Sequence, residues 1–298
     1  MNNRVVALLA ALGATTIYGL NHTIAKVVMP NYIGAFGFIM LRVTGAAALF
    51  WFFSIWTPKE RIEKSDYKRI FFAALLGMCI NMLMFFKGLE LSTPINSGVI
   101  VTLTPIIVFV LSVLFLNESL GWRKVAGIVL GFSGALILIL YGKKEMANAP
   151  NIPLGNLLFL INACSFGAYL ILVKPLTKKY HTFTLMKWMF LLGILMTFPI
   201  TYQEFFAVQW GQLPFDAIWR MAFVVIGTTF LTYMLNVYAL KTLAATTVGA
   251  FIYLQPLIAI VYALATNNDV LDITKAGAGV LVLLGVYLVT QKKCVVTP

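Results

Sequence analysis

Long apolar runs, each closed by a short polar or Gly/Pro-containing break, set the pattern of this chain. Ten such runs follow one another, at 6–28, 34–56, 70–90, 94–116, 123–141, 155–174, 183–203, 218–239, 243–265 and 274–290. A bilayer core takes about 20 helical residues to cross, and the runs approach or reach that length. They are continuous, without the alternation over about ten residues that marks a barrel strand. The pattern therefore predicts an all-α integral membrane protein of ten transmembrane helices. The boundary between the third and fourth runs is soft, so nine remains the alternative count. The opening MNNRVVALLAALGATT has the basic residue, apolar run and small residues of a secretory leader. The apolar run continues through Ile17–Met29, which favours a retained first helix.

Composition agrees, with 61% of the 298 residues hydrophobic and 11% charged; a water-soluble domain carries about 25% charged residues. Net charge is +12, which in a soluble chain points to nucleic acid. In a membrane protein it follows from the gathering of Lys and Arg in cytoplasmic loops, so no nucleic-acid partner is expected. With ten spans and the N-terminus inside, fourteen Lys and Arg lie on the cytoplasmic side. Six lie opposite (Lys26, Lys87, Lys143, Lys144, Arg220 and Lys275), and Arg42 and Lys187 fall within spans, completing the 22. Both termini are thus expected in the cytoplasm. Cys79, Cys164 and Cys294 have no paired spacing for a disulfide framework or a metal site, so no metal and no cofactor is expected.

An internal repeat organises the chain. Displaced by 151 residues, Leu89 meets Leu240, Gly98 meets Gly249, and Leu103-Thr104-Pro105 meets Leu254-Gln255-Pro256. Asn117-Glu118 then meets Asn268-Asp269, Lys124 meets Lys275, and Gly134 meets Gly285. At a displacement of 148, Gly19 meets Gly167, Lys26 meets Lys174 and Gly45 meets Gly193. Residues 1–142 and 154–298 are read as two five-helix repeats, joined by a polar, Pro-closed linker at 143–153. Five is odd, so the second repeat enters the membrane inverted. Inverted halves meeting at a midplane site are a recurrent transporter architecture.

The residues that carry the repeat also resemble the drug/metabolite transporter superfamily, of the EamA type, over essentially the whole length. The small-aromatic-Gly patch of each half's first helix corresponds to Tyr18-Gly19-Leu20-Asn21 and Phe166-Gly167, and the second-helix Arg to Arg42. Pro105, Glu118 and the Gly-rich stretch Gly127/Gly131/Gly134 match the fourth and fifth helices. The second half departs from the pattern: its acidic residue is Asp269, and Phe190 stands where Arg42 would repeat. The resemblance implies a central cavity between helices 1–4 and 6–9, with helices 5 and 10 bracing the periphery, in a bacterial inner (plasma) membrane. The glycines, with Gly285, are read as helix-packing residues, and Glu118 and Asp269 as structural acids holding helix-end donors.

The polar residues inside the runs name candidates for a substrate path. All ten acidic residues fall in loops or at span ends, so no carboxylate near the midplane carries a coupling proton or a polycation. The deep ionisable groups are His22 and Arg42, at about 9 and 12 Å from one face by the helical rise. A fixed cation there favours carboxylates, amino acids and related zwitterions. Arg42 could instead brace backbone carbonyls, and His22 could be a neutral hydrogen-bonded side chain or titrate near neutrality. Around them stand Tyr18, Asn21, Asn81, Asn96, Thr102, Thr104, Asn162, Ser165, Tyr169, Trp188, Thr232, Tyr233, Asn236, Tyr253 and Gln255. Amides among them could pair for packing alone, and a Tyr or Trp near a span end could belong to the interfacial belt. Pro105 and Pro256 are candidate hinges or simple kinks.

The expected function is a secondary transporter or facilitator of small metabolites, working by alternating access with export as its direction, and able to form oligomers. An intramembrane enzyme is the alternative from another class. No catalytic residue is assigned, because H-E-x-x-H, G-x-S-x-G and paired midplane aspartates are all missing. A channel or receptor subunit leaves the repeat, or the lack of an output domain, unexplained.

Overall fold

The protein is described by a computed structural model that covers residues 3–116, 122–141, 146–243, 251–252 and 254–290. Its first half contains α1 (Asn3–Val28), α2 (Ala35–Phe53), α3 (Tyr67–Ala74), α4 (Asn81–Leu91), α5 (Pro94–Val101), α6 (Thr104–Leu116) and α7 (Trp122–Leu140). The second contains α8 (Ile152–Lys179), α9 (Thr182–Ala207), α10 (Phe215–Ala222), α11 (Thr232–Thr242), α12 (Leu254–Ala265) and α13 (Ile273–Thr290). Among the described residues, seven helices are long and apolar enough to cross a membrane, and three shorter apolar helices accompany them. The protein is an all-helical integral membrane protein. Trp122, Phe206, Phe215 and Val261 are exposed on its flanks, as side chains facing lipid can be.

Helix ends show where the sparse acids go. Glu204 Oε2 accepts from the backbone N–H of Phe36 and Gly37 at 2.8 and 3.0 Å, and Glu90 from Ala35 at 3.3 Å, so two carboxylates sit on the α2 N-terminus. Glu60 accepts from His181 at the start of α9 (2.7 Å), and Asp269 from Ile95 at the start of α5 (3.1 Å). Unpaired N–H groups and the helix dipole both favour anions there. Lys26 does the converse, donating to the last carbonyls of α4, Leu89 O and Glu90 O, at 2.7 and 2.8 Å.

The halves pack reciprocally. α2 lies against α9, and α7 against α13; α4 lies on α8 as α11 lies on α1, and α6 on α8 as α12 on α1. Exchanging the halves maps this list onto itself. The close approaches follow the same rule. A Cβ on Gly19 would meet Ile258, and one on Gly167 would meet Ile107, its counterpart at 151 residues. Gly45 likewise faces Val225, while Gly193 faces Met78. α3 continues into α4 through π-helical turns at Leu75–Ile80, and α10 into α11 through π-helical turns at Phe223–Leu231. Wide turns at matched places are a frequent mark of functional helices.

The fourth apolar run, expected as one span, is one candidate span over Pro94–Leu111 with a turn inside it. α5 ends at Val101, and Thr102 and Leu103 turn with i→i−3 bonds to Val99 and Ile100. α6 then opens with Thr104 and Pro105, and a proline lacking its N–H costs nothing in a first helical turn.

Candidate functional site

The broken helix and the π-helical turns surround one internal cavity. It is lined from α1 by Tyr18, Asn21 and His22, from α2 by Arg42, and from α4 by Asn81 and Phe85. Val101 and Thr104 line it from the α5–α6 break, Asn162 and Phe166 from α8, Thr228 and Tyr233 from the second π segment and α11, and Ile252 and Gln255 from the start of α12. About 70 Å³ of it is open to the centre of a water molecule. At roughly 10–15 Å³ per water on that measure, it admits a handful of waters or a small solute. No Asp or Glu is among the described lining residues.

Spacing explains the lining. Tyr18, Asn21 and His22 stand at i, i+3 and i+4, one face of α1, and Asn81 and Phe85 at i, i+4 on α4. Arg42 is 5% exposed and donates through Nε to Thr229 Oγ1 at 2.5 Å. Thr229 in turn donates to Val224 O, five residues back, an acceptor the π-helical turn provides. The Arg42 guanidinium lies 5.0 Å over the Phe86 ring. No bond from its two Nη amines to the described residues is found, and Arg42 lines the cavity. His22 Nδ1 meets Ser97 Oγ at 2.5 Å, and Phe85 packs edge-on at 5.5 Å. Asn162 Nδ2 donates to Asn81 O at 2.8 Å, joining the halves across the cavity wall. Buried oxygens of Asn21 and Thr228 have no partner among the described residues.

Seven of the sequence candidates meet here: Tyr18, Asn21, His22, Arg42, Asn81, Tyr233 and Gln255. Thr104 and Asn162, named with them, also line the cavity. Asn96 instead donates to Asn156 Oδ1 (3.1 Å), and Thr102 to Gly98 O (2.8 Å). Tyr169 is packed against Gly77, and Asn236 lies behind Tyr18. Trp188 sits on an outer face, 5.4 Å from Trp51 in an edge contact; its helix, α9, contributes no described lining residue. Pro256 is buried beneath Gly98, and the backbone of Pro105 starts α6. Tyr253 and Glu118, with part of the expected linker, lie outside the described residues. Sequence reasoning missed Phe85, Val101, Thr228 and Ile252, of which Phe85 was legible one turn from Asn81.

Two of the six lysines and arginines counted opposite the cytoplasm are buried. Lys26 and Lys275 are 3% and 5% exposed. Lys26 reaches the α4 carbonyls, and Lys275 Nζ pairs with Asp269 Oδ1 at 2.6 Å and with Val270 O at 2.8 Å.

Comparison with known proteins follows the same two halves. The model of the EamA-like transporter family matches residues 5–140 and again 153–291. The chain belongs to the EamA-like transporter family. This membrane transporter is 24% identical over 264 residues to an uncharacterized transporter of Archaeoglobus fulgidus, covering 89% of each chain. It is 23% identical to the uncharacterized transporter YyaM of Bacillus subtilis, over 92% of this chain and 90% of that one. The WAT1-related protein At3g53210 of Arabidopsis thaliana is 22% identical, over 93% of this chain and 80% of its own. A solved crystal structure superposes with a TM-score of 0.66 at 16% identity, covering 96% of this chain and 97% of the other. That last likeness concerns the fold alone.

Proposed function

We propose that this transporter moves small carboxylate-bearing solutes, amino acids among them, by alternating access between two inverted five-helix repeats. The repeats are residues 1–142 and 154–298, giving ten spans with both termini in the cytoplasm of a bacterial inner membrane. The observation that carries the substrate class is Arg42. A buried guanidinium bonded through Nε, lining a cavity that lacks described carboxylates, is suited to a bidentate anion. The reciprocal packing of the halves supports the two-repeat reading, since equivalent contacts recur with the halves exchanged. Export is the direction taken from the resemblance.

The test is uptake of labelled amino and organic acids into proteoliposomes, by wild type and by Arg42→Ala. Saturable uptake of a carboxylate solute, lost in the variant at unchanged thermal stability, is the expected result. Wild-type transport that survives the substitution would move Arg42 to a bracing role.

A further inference from the structure

Ser97 Oγ stands between Pro94 O and His22 Nδ1, and its one hydrogen bears on which ring nitrogen carries the proton. The Ser97 hydroxyl donates to Pro94 O at 3.0 Å, and a hydroxyl has one hydrogen to give. Its 2.5 Å contact with His22 Nδ1 is then satisfied by an imidazole that donates Nδ1–H to Ser97 Oγ. In the neutral ring, that assignment leaves the lone pair on Nε2. Among the described residues no group bonds Nε2, and His22 lines the cavity. Phe85, packed edge-on at 5.5 Å, flanks the ring.

The cavity around that lone pair is short of charge for the acceptor role. The described polar groups that line the cavity with His22 are Tyr18 and Asn21 of its own helix, Arg42 of α2, Asn81 of α4, Thr104 of α6, Asn162 of α8, Thr228 and Tyr233 of the second π segment and α11, and Gln255 of α12. One is a cation and none is an anion. Lys26, a turn further along α1, is engaged with the α4 carbonyls. The described lining thus offers a guanidinium for an acid group and neutral acceptors for a donor group, among them His22 Nε2 and the oxygens of Asn21 and Thr228, which have no partner among the described residues.

We propose that His22 Nε2 is the acceptor that selects, among carboxylate solutes, those carrying a second, hydrogen-bond-donating group, an α-ammonium foremost. The inference rests on the carboxylate reading of Arg42. It adds that a bare acid, which leaves His22, Asn21 and Thr228 unpaired, binds more weakly than its amino counterpart.

Gln and Asn distinguish the two ring nitrogens, since a Gln amide reaches the position of Nε2 and an Asn amide that of Nδ1. The experiment is proteoliposome uptake of matched sets sharing one carbon skeleton: the α-amino acid, the 2-hydroxy acid and the unsubstituted acid, with skeletons of two to nine carbons. Wild type, His22→Gln and His22→Asn are compared by the ratio of apparent KM values within each preparation, so the amount of active protein cancels. The expected result is a wild-type preference for the amino acid over the bare acid of about ten- to hundred-fold, the worth of one hydrogen bond to a charged group. His22→Gln keeps most of that preference and His22→Asn loses it. A hydroxy acid as well taken as the amino acid would place the selection on any donor and still support His22. Equal wild-type affinity for amino and bare acid, or a His22→Asn loss shared equally by both, would overturn the role of His22 and leave the carboxylate reading standing. Failure to transport any set would overturn both.

Discussion

Gly285 of α13 crosses Gly131 of α7 so closely that a Cβ added to Gly285 would stand 2.5 Å from the Gly131 nitrogen. The relationship is reciprocal. A Cβ on Gly134 would meet Ala278 O at 2.7 Å and Val282 N at 3.2 Å, and Ala278 and Val282 are the 151-residue counterparts of Gly127 and Gly131. Where the obstacle is backbone, no rotamer relieves it, so the helices themselves must part. Between helices in lipid, close packing of small residues supplies much of the attraction. Gly285→Ala is therefore expected to destabilise by about 1–3 kcal/mol, the usual cost of overpacking. Gly277 on the same helix has nothing within 4 Å of a built Cβ, and Gly277→Ala is the control. Thermal unfolding in detergent should show a lowered Tm for Gly285→Ala and an unchanged one for Gly277→Ala.

Asp269 has three partners: Oδ1 neutralises Lys275 and accepts from the Val270 N–H, and Oδ2 receives the Ile95 N–H. Both side chains of the pair are nearly sealed, at 5% exposure for Lys275 and 0% for Asp269. Removing one partner of such a pair leaves an uncompensated buried charge, a loss of about 3–5 kcal/mol. Asp269→Asn is expected to lower stability by that order, although its amide oxygen still suits Ile95. Adding Lys275→Met removes the stranded ammonium and should restore most of the loss. A double-variant cycle of unfolding free energies measures the coupling, and additive losses would exclude it.

The helices were legible because hydrophobic run length and Gly/Pro breaks are local properties. The glycine pairs Gly19/Gly167, Gly45/Gly193 and Gly134/Gly285 were legible because close tertiary approaches are written as small residues. Run length does not report backbone geometry inside a run. The break at Thr102–Leu103 and the π-helical turns at Leu75–Ile80 and Phe223–Leu231 were therefore invisible. Depth counting brought His22 and Arg42 to one cavity, but it does not report the burial of Lys26 and Lys275, because a long side chain near a span end can turn inward. Trp188 shows the same limit: a deep polar-aromatic residue has no sequence mark for the face it occupies.

Thr229 positions Arg42, and its hydroxyl is doubly used, accepting from Nε and donating to Val224 O. Thr229→Val keeps the shape and deletes both bonds, so the guanidinium loses its anchor while its charge remains. A charge-assisted hydrogen bond contributes about 1.5–3 kcal/mol. The expected outcome is a raised apparent KM for carboxylate solutes, roughly ten-fold or more, with Thr229→Ser close to wild type. Arg42→Lys is expected to fail at the same step, since a point-charge ammonium cannot bond Thr229 and fork onto a carboxylate together. Uptake kinetics at several substrate concentrations separate this from a fall in maximal rate.

Gly45 and Gly193 test the inversion itself. A Cβ on Gly45 would press Val225 Cγ1 at 2.6 Å, and one on Gly193 would press Met78 Cβ at 2.9 Å. Each glycine thus seats a π-helical segment of the opposite half on its own helix, α2 or α9. If the halves are inverted and exchange conformations in transport, the two seats trade places between inward-open and outward-open states. A methyl wedge at one then favours one state, and the same wedge at the other favours its opposite. Gly45→Ala and Gly193→Ala are accordingly expected to shift the ratio of inside to outside apparent KM in opposite directions. The measurement is uptake against efflux in proteoliposomes of defined protein orientation. Shifts in the same direction would mean that the reciprocal contacts are a packing symmetry without a part in the transport cycle.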